Sequence, residues 1–153
     1  MLSEAVKNNA YLGGKRMNKK SIIAIEKILN CINELEIMCT GRDDSYFYDS
    51  YEMPILCNLV NEVEINLNKI SKNIKRKYDN VNWCVIDSYK EEDGEFKILK
   101  MGKVWELANI VLKKELKRNL SNILKMELPI YYTNYCNQQH ERFLKNKKFT
   151  NMD

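Results

Sequence analysis

Between Lys19 and Leu35, apolar residues return every three or four positions: Ile22, Ile25, Ile28, Leu29, Ile32 and Leu35. That spacing gathers them on one side of an α-helix and would scatter them over both faces of a strand. Lys, Glu and Asn fill much of the opposite side. A second stripe follows at Leu56, Leu59, Val60, Val63, Leu67, Ile70 and Ile74. A third runs through Met101, Val104, Trp105, Ala108, Val111, Leu112, Leu116, Leu120, Ile123 and Leu124. Each stripe needs a partner to leave water, so the pattern predicts an all-α protein, an antiparallel bundle of four main helices with short extra pieces and no β-sheet. The chain's 5 Gly and 2 Pro leave too little turn punctuation for a sandwich of this size.

The breaks follow from local chemistry. Ser21 is the expected cap of the first helix, and Thr40-Gly41 ends it, since Gly tolerates the left-handed closing turn. Arg42–Ser50 reads as a polar loop containing Tyr46, Phe47 and Tyr48. A second helix is expected over about Tyr51–Tyr78, capped by Asp49 or Ser50, with Pro54 in its first turn. Val81–Tyr89 suggests a short helix with Trp83 and Ile86 inward. Asp93-Gly94 is a turn, and a long helix runs from about Ile98 to Met126. Pro129 precedes a last helix over about Ile130–Lys147. The organisation is a loosely ordered segment 1–18, a bundle 19–128, and a C-terminal helix with a basic tail 129–153.

Several function classes are disfavoured. The net charge of +4, from 25 basic and 21 acidic residues, is too small to imply nucleic acid by itself. No apolar run reaches the ~18–20 residues that span a bilayer, and Met1–Arg16 lacks the apolar centre of a secretory signal. Cys31, Cys39, Cys57, Cys84 and Cys136 are odd in number with no CxxC pair, so we expect free, mostly buried thiols in a reducing cytoplasm. Neither a cofactor motif nor a metal-ligand spacing is present.

Asn80–Trp83 reads Asn-Val-Asn-Trp, and Val104–Ala108 reads Val-Trp-Glu-Leu-Ala. This frame, with the first helix, the aromatic-acidic loop Tyr46–Asp49 and the stretch Leu59–Ser71, resembles a HepT-like protein of the HEPN superfamily over about Lys20–Pro129. The resemblance implies a small helical bundle that pairs as a homodimer. It implies a prokaryotic toxin–antitoxin, defence or phage anti-defence setting. Active members hold an Arg and a His between the two landmarks and cut RNA with them. Here those places fall near Tyr89 or Lys90 and near Glu95, and the interval contains neither Arg nor His. The family's Gly-Glu-Ala step corresponds to Glu64-Ile65-Asn66. A ribonuclease needs a phosphate clamp and a proton shuttle, and Lys90 and Glu95 are poor substitutes, since a Lys lacks the planar fork of Arg and an exposed carboxylate is a weak proton acceptor.

The degenerate groove, Tyr89, Lys90, Glu91, Glu92, Asp93 and Glu95, carries four carboxylates against one Lys. It should repel a phosphodiester and suit a basic protein surface. Its acidic run is more simply solvated than metal-binding. His140 and Arg142 stand two apart on a helix and face different ways, so a relocated catalytic pair is disfavoured. Lys113, Lys117, Arg118, Tyr131, Tyr132 and Arg142 form a possible RNA-binding set of basic and aromatic residues, although core tyrosines beside solvated lysines is the simpler reading. The expectation is therefore a binding protein without catalysis, whose partner is a HEPN toxin, a nucleotidyltransferase or a host nuclease. A divergent ribonuclease using Lys90, Glu95 or His140 and a non-catalytic RNA-binding module are the alternatives. Trp105 should lie buried between the long helix and the second, next to Val63 or Leu67.

Overall fold

A computed structural model describes residues 17–43 and 51–151 of the chain. They are mostly helical. They form two compact units, one spanning Asn18–Leu120 and the other made of Met17 and the residues from Ser121 onward. The expected loop aromatics Tyr46, Phe47 and Tyr48, the caps Asp49 and Ser50, and most of the N-terminal segment lie outside the described residues.

In the first unit, α1 (Lys19–Cys39) buries Ile22, Ile25, Ile28, Leu29, Ile32 and Leu35, the stripe that the spacing requires. Its cap is Asn18, whose side-chain oxygen accepts the Ser21 N–H at 2.8 Å. Ser21 has another role. It is fully buried, and its Oγ accepts the Ser71 N–H at 3.0 Å, from fifty residues along the chain. Gly41, at φ +73°, ends α1 as expected.

The second helix is broken. α2 (Met53–Leu67) has Pro54 in its first turn and buries Met53, Leu56, Val60, Val63 and Leu67. The chain then turns through Asn68–Ile70 and restarts at Ser71, whose hydroxyl caps α3 (Lys72–Lys77). The apolar period runs unbroken across this point, so the break is not visible in it. Ser71 is a helix starter whose backbone N–H is taken up by Ser21, which compensates for an interrupted ladder.

Val81–Tyr89 is not a helix but a series of turns ending in one 3-10 turn, Asp87–Tyr89. Ile86 is buried, and Trp83 is half-buried, its indole N–H donating to the Tyr78 carbonyl at 3.0 Å.

The expectation of no sheet is overturned by a small antiparallel hairpin, β1 (Lys90–Asp93) and β2 (Phe96–Leu99). Asp93 pairs with Phe96, leaving Gly94 and Glu95 as a two-residue turn. Gly94 has φ +65° and, among the described residues, no non-Gly residue has positive φ, which fits a type II′ turn with Gly first. Asp93-Gly94 is therefore a hairpin signal rather than a break between helices.

The long helix starts later than its stripe suggested. After a 3-10 turn (Met101–Lys103), α4 (Val104–Glu106) leads into a π-helical segment (Leu107–Leu116) and then α5 (Lys117–Glu127). The winding shows in the Lys117 N–H, which reaches the Leu112 carbonyl five residues back. It also explains the burial pattern. Val104, Ala108, Leu112, Leu116 and Leu120 are all buried, every fourth residue. In an α-helix a step of four overshoots a full turn by about 40°. The wider π winding carries more residues per turn, offsets that drift, and keeps the row on the side packed against α1. Ile110 is exposed and Trp105 is only half-buried, with its buried indole N–H unpaired, so Trp105 is not the buried wedge expected. Asn66 Oδ1 is the other buried unpaired side-chain atom among the described residues.

In the second unit, α6 (Pro129–Asn151) starts one residue after α5, and Leu124, Leu128 and Tyr131 are buried. Among the described residues no helix is long and apolar enough to cross a membrane. The cysteines are free, but only Cys39 is buried. Cys31 and Cys57 are half-buried, and Cys84 and Cys136 are exposed. Four of the five sit on the polar side of their segment or in a turn, where a small thiol has no reason to be drawn inward.

Candidate functional site

The site begins with register. Antiparallel pairing sets Lys90 opposite Leu99, Glu91 opposite Ile98, Glu92 opposite Lys97, and Asp93 opposite Phe96. Side chains alternate across a strand, so the hairpin has two unlike faces. Lys90, Glu92, Lys97 and Leu99 share one. Glu91, Asp93, Phe96 and Ile98 share the other.

The first face is anchored. Leu99 is buried, and the half-buried Lys90 ammonium sits 2.6 Å from Glu64 of α2. Side-chain exposures of 16% and 22% make this pair largely desolvated, unlike an ordinary surface ion pair. The base of the ribbon is closed by the Lys100 N–H, which donates to the Tyr89 carbonyl at 2.8 Å.

The second face is presented to solvent. Phe96 is 74% exposed and Ile98 is 45% exposed, with Glu91 and Asp93 beside them and Glu95 at the turn. The resemblance implies an acidic groove at these residues. The acidic residues stand instead on a projecting ribbon, because the alternation that turns Lys90 and Leu99 inward turns Glu91 and Asp93 outward. Tyr89 is half-buried at the foot of the ribbon. Burial, and then Glu106 and Glu115 against the opposing Lys103, raises its hydroxyl above the ordinary tyrosine value.

Two clefts adjoin Lys90. One, of about 240 Å³, is lined by Glu64, Leu67, Asn68, Trp83, Cys84, Ile86, Asp87 and Lys90. The other, of about 280 Å³, is lined by Cys57, Asn61, Lys90, Lys97, Ile98 and Leu99. Glu64, Trp83, Asp87, Phe96 and Ile98 were not singled out as site residues from sequence. The alternation Phe-Lys-Ile-Leu after Asp-Gly was the available signal for the last two. No local spacing reveals that Lys90 meets Glu64.

The possible RNA-binding set fares less well. Tyr131 is 5% exposed and cannot stack on a base. Lys117 is held by Glu36 at 2.7 Å, while Lys113 and Tyr132 are half-buried and Arg118 and Arg142 are exposed. Tyr132 is instead tied to its neighbour one turn on, since its hydroxyl is raised first by a hydrogen bond with the Cys136 side chain. Lys113, Lys117 and Arg118 belong to the first unit, and Tyr131, Tyr132 and Arg142 to the second. His140 is exposed on α6. Among the described residues no three His, Cys, Asp or Glu side chains gather as a metal ion would require. Searches of protein-family models, curated proteins and solved structures give no match to this chain.

Proposed function

We propose that this is a non-catalytic, HEPN-like helical protein that works by binding a basic protein surface, in a prokaryotic toxin–antitoxin, defence or phage anti-defence setting. The observation that carries the reading is the outward face of the hairpin. A largely exposed Phe96 and Ile98 ringed by Glu91, Asp93 and Glu95 combine an apolar anchor with a charged rim, the usual anatomy of a protein contact. Lys90, the one cation at the position of the family's Arg, is already neutralised by Glu64. The fitting partners are a HEPN toxin, a nucleotidyltransferase or a host nuclease with a basic face.

The test is binding to purified candidates of these classes, with the wild type and a Phe96→Ala/Ile98→Ala double variant. Capture that is lost in the double variant, and that weakens with added salt, supports the reading. Capture that is indifferent to both changes refutes it. Cleavage of single-stranded RNA by the wild type, lost in Lys90→Ala or His140→Ala, would put the ribonuclease first. The expected homodimer rests on the resemblance and on Ile110, exposed at 46% on the π-wound segment that buries Leu107, Ala108 and Leu112. A sedimentation mass near 18.2 kDa would exclude it.

A further inference from the structure

The hairpin has two free edges, and its turn fixes which backbone groups each one offers. A two-residue turn makes Asp93 and Phe96 a hydrogen-bonded pair, and such pairs alternate along an antiparallel ladder. Glu91 and Ile98 form the next bonded pair, and Tyr89 and Lys100 the one after. The Lys100 N–H donating to the Tyr89 carbonyl at 2.8 Å agrees with that phase. In the intervening pairs, Lys90–Leu99 and Glu92–Lys97, the N–H and C=O groups point away from the partner strand. Lys97 and Leu99 therefore hold their backbone groups along the outer edge of β2. Those groups have no hydrogen-bond partner among the described residues.

That edge opens on the larger cleft, of about 280 Å³, which lies between Cys57 and Asn61 of α2 and Lys97, Ile98 and Leu99 of the strand. Its accessible wall is mostly apolar. Ile98 lines it although its side chain belongs to the outer face, which brings the cleft up to the strand's edge. An open strand edge beside a helix suits an extended peptide. Main-chain bonds hold such a peptide, and a cleft takes its alternate side chains. Charge narrows the choice. Lys90 is paired with Glu64. Lys97 is exposed and makes no ion pair among the described residues, even with Glu92 opposite it, and no carboxylate lines the cleft.

We propose that an extended segment of a protein partner adds to β2 as a third, antiparallel strand. Antiparallel pairing is the more stable kind and continues the geometry of the hairpin. The added residue beside Leu99 is apolar and enters the cleft. The next is apolar or aromatic and lies over Ile98 on the outer face. The one after stands beside Lys97 and is acidic. This contact uses the edge and inner face of the ribbon, so it does not rest on the basic surface assigned above to Glu91, Asp93 and Glu95.

The experiment titrates the full chain with the peptide acetyl-Thr-Val-Tyr-Glu-Thr-amide and follows backbone amides by NMR. We expect saturable shifts at the Lys97 and Leu99 N–H groups, larger than at the Glu92 N–H on the other edge, with a dissociation constant on the order of 1 mM. Methylating the peptide's Glu nitrogen, which faces β2, should abolish binding. Methylating its Tyr nitrogen, which faces away, should leave binding within about twofold. Lys97→Glu should weaken the peptide about fivefold. Asn61→Tyr, at an exposed position on the cleft wall, should prevent saturation. Equal binding by the two methylated peptides, shifts confined to the β1 edge, or no saturation would overturn the inference even where hairpin-dependent partner capture stands. Peptide binding of the expected kind beside capture that ignores Phe96 and Ile98 would remove the functional reading and leave the strand addition intact.

Discussion

α1 and the β1–β2 hairpin are opposite solutions to the same problem. α1 turns a continuous apolar stripe onto its neighbours and leaves none of Ile22, Ile25, Ile28, Leu29, Ile32 or Leu35 in contact with water. The hairpin buries Leu99 alone and holds its position with one ion pair and one closing backbone bond. A two-stranded ribbon is marginal by itself in water. This one exists because Lys90 and Leu99 attach it to the helices, so its outer face is free of any duty to the core. Stability and presentation are assigned to different segments, and the same side chain type, a large apolar one, is structural in the first and available for contact in the second.

That division predicts a graded set of effects. Ile28→Ala should cost about 2–5 kcal/mol in urea unfolding, since the methyl groups removed lie in a fully packed interior. A loss under 1 kcal/mol would show that α1 is not the structural side of the comparison. Glu64→Ala strands Lys90 without its carboxylate and should cost about 1–3 kcal/mol. Hydrogen exchange should then quicken through Lys90–Leu99, and unchanged exchange there would mean that the ion pair does not anchor the ribbon. Lys90→Met with Glu64→Leu should recover much of the loss. Ser21→Ala leaves the Ser71 N–H without its partner at the break after α2, for about 1 kcal/mol.

The thiols give a milder test with a defined pH sign. Burial is the first cause raising Cys31, Cys39 and Cys57 above the ordinary 9.0, with nearby Glu34 and Glu62 adding to it at Cys31 and Lys113 and Arg42 opposing it at Cys39. The folded state thus prefers the neutral thiol. The stability so contributed is complete below the unfolded value and is lost as pH rises through that value towards the higher folded ones. Unfolding midpoints should fall between pH 8 and pH 10, and less so with the three residues changed to Ala or Ser. A disulfide reagent at pH 8 should reach Cys84 and Cys136 first and Cys39 last. The smallest effect belongs to Phe96→Ala, within about 0.5 kcal/mol. A larger cost would show that Phe96 supports the fold rather than a contact.

The sequence was a good guide wherever one element's own period decided the outcome. The α1 stripe, the closing turn at Gly41 and Pro54 in a first turn all appear where local chemistry put them. It was a poor guide where two remote segments had to meet. The period from Leu56 to Ile74 runs smoothly through a place where the chain breaks, because Ser71 finds Ser21 on another helix. The helical stripe beginning at Met101 drew Ile98 and Leu99 into a helix, although the strand pairing with Lys90 and Glu91 claims them. Of the acidic segment, its charge and the Asp93-Gly94 turn were legible. Its shape was not, since a ribbon and a groove have the same composition.

By itself, then, the sequence determined which residues must leave water and that most of them do so on helices, because a period of three to four is a property of neighbours along the chain. Tertiary structure alone decided that Lys90 meets Glu64 across 26 residues, and that a π-wound segment keeps an every-fourth row buried. Tertiary structure also decided that Phe96 stands exposed on the hairpin and that Asp87 lines a cleft. Those outcomes depend on the distance and angle between elements, which packing sets and local spacing does not encode.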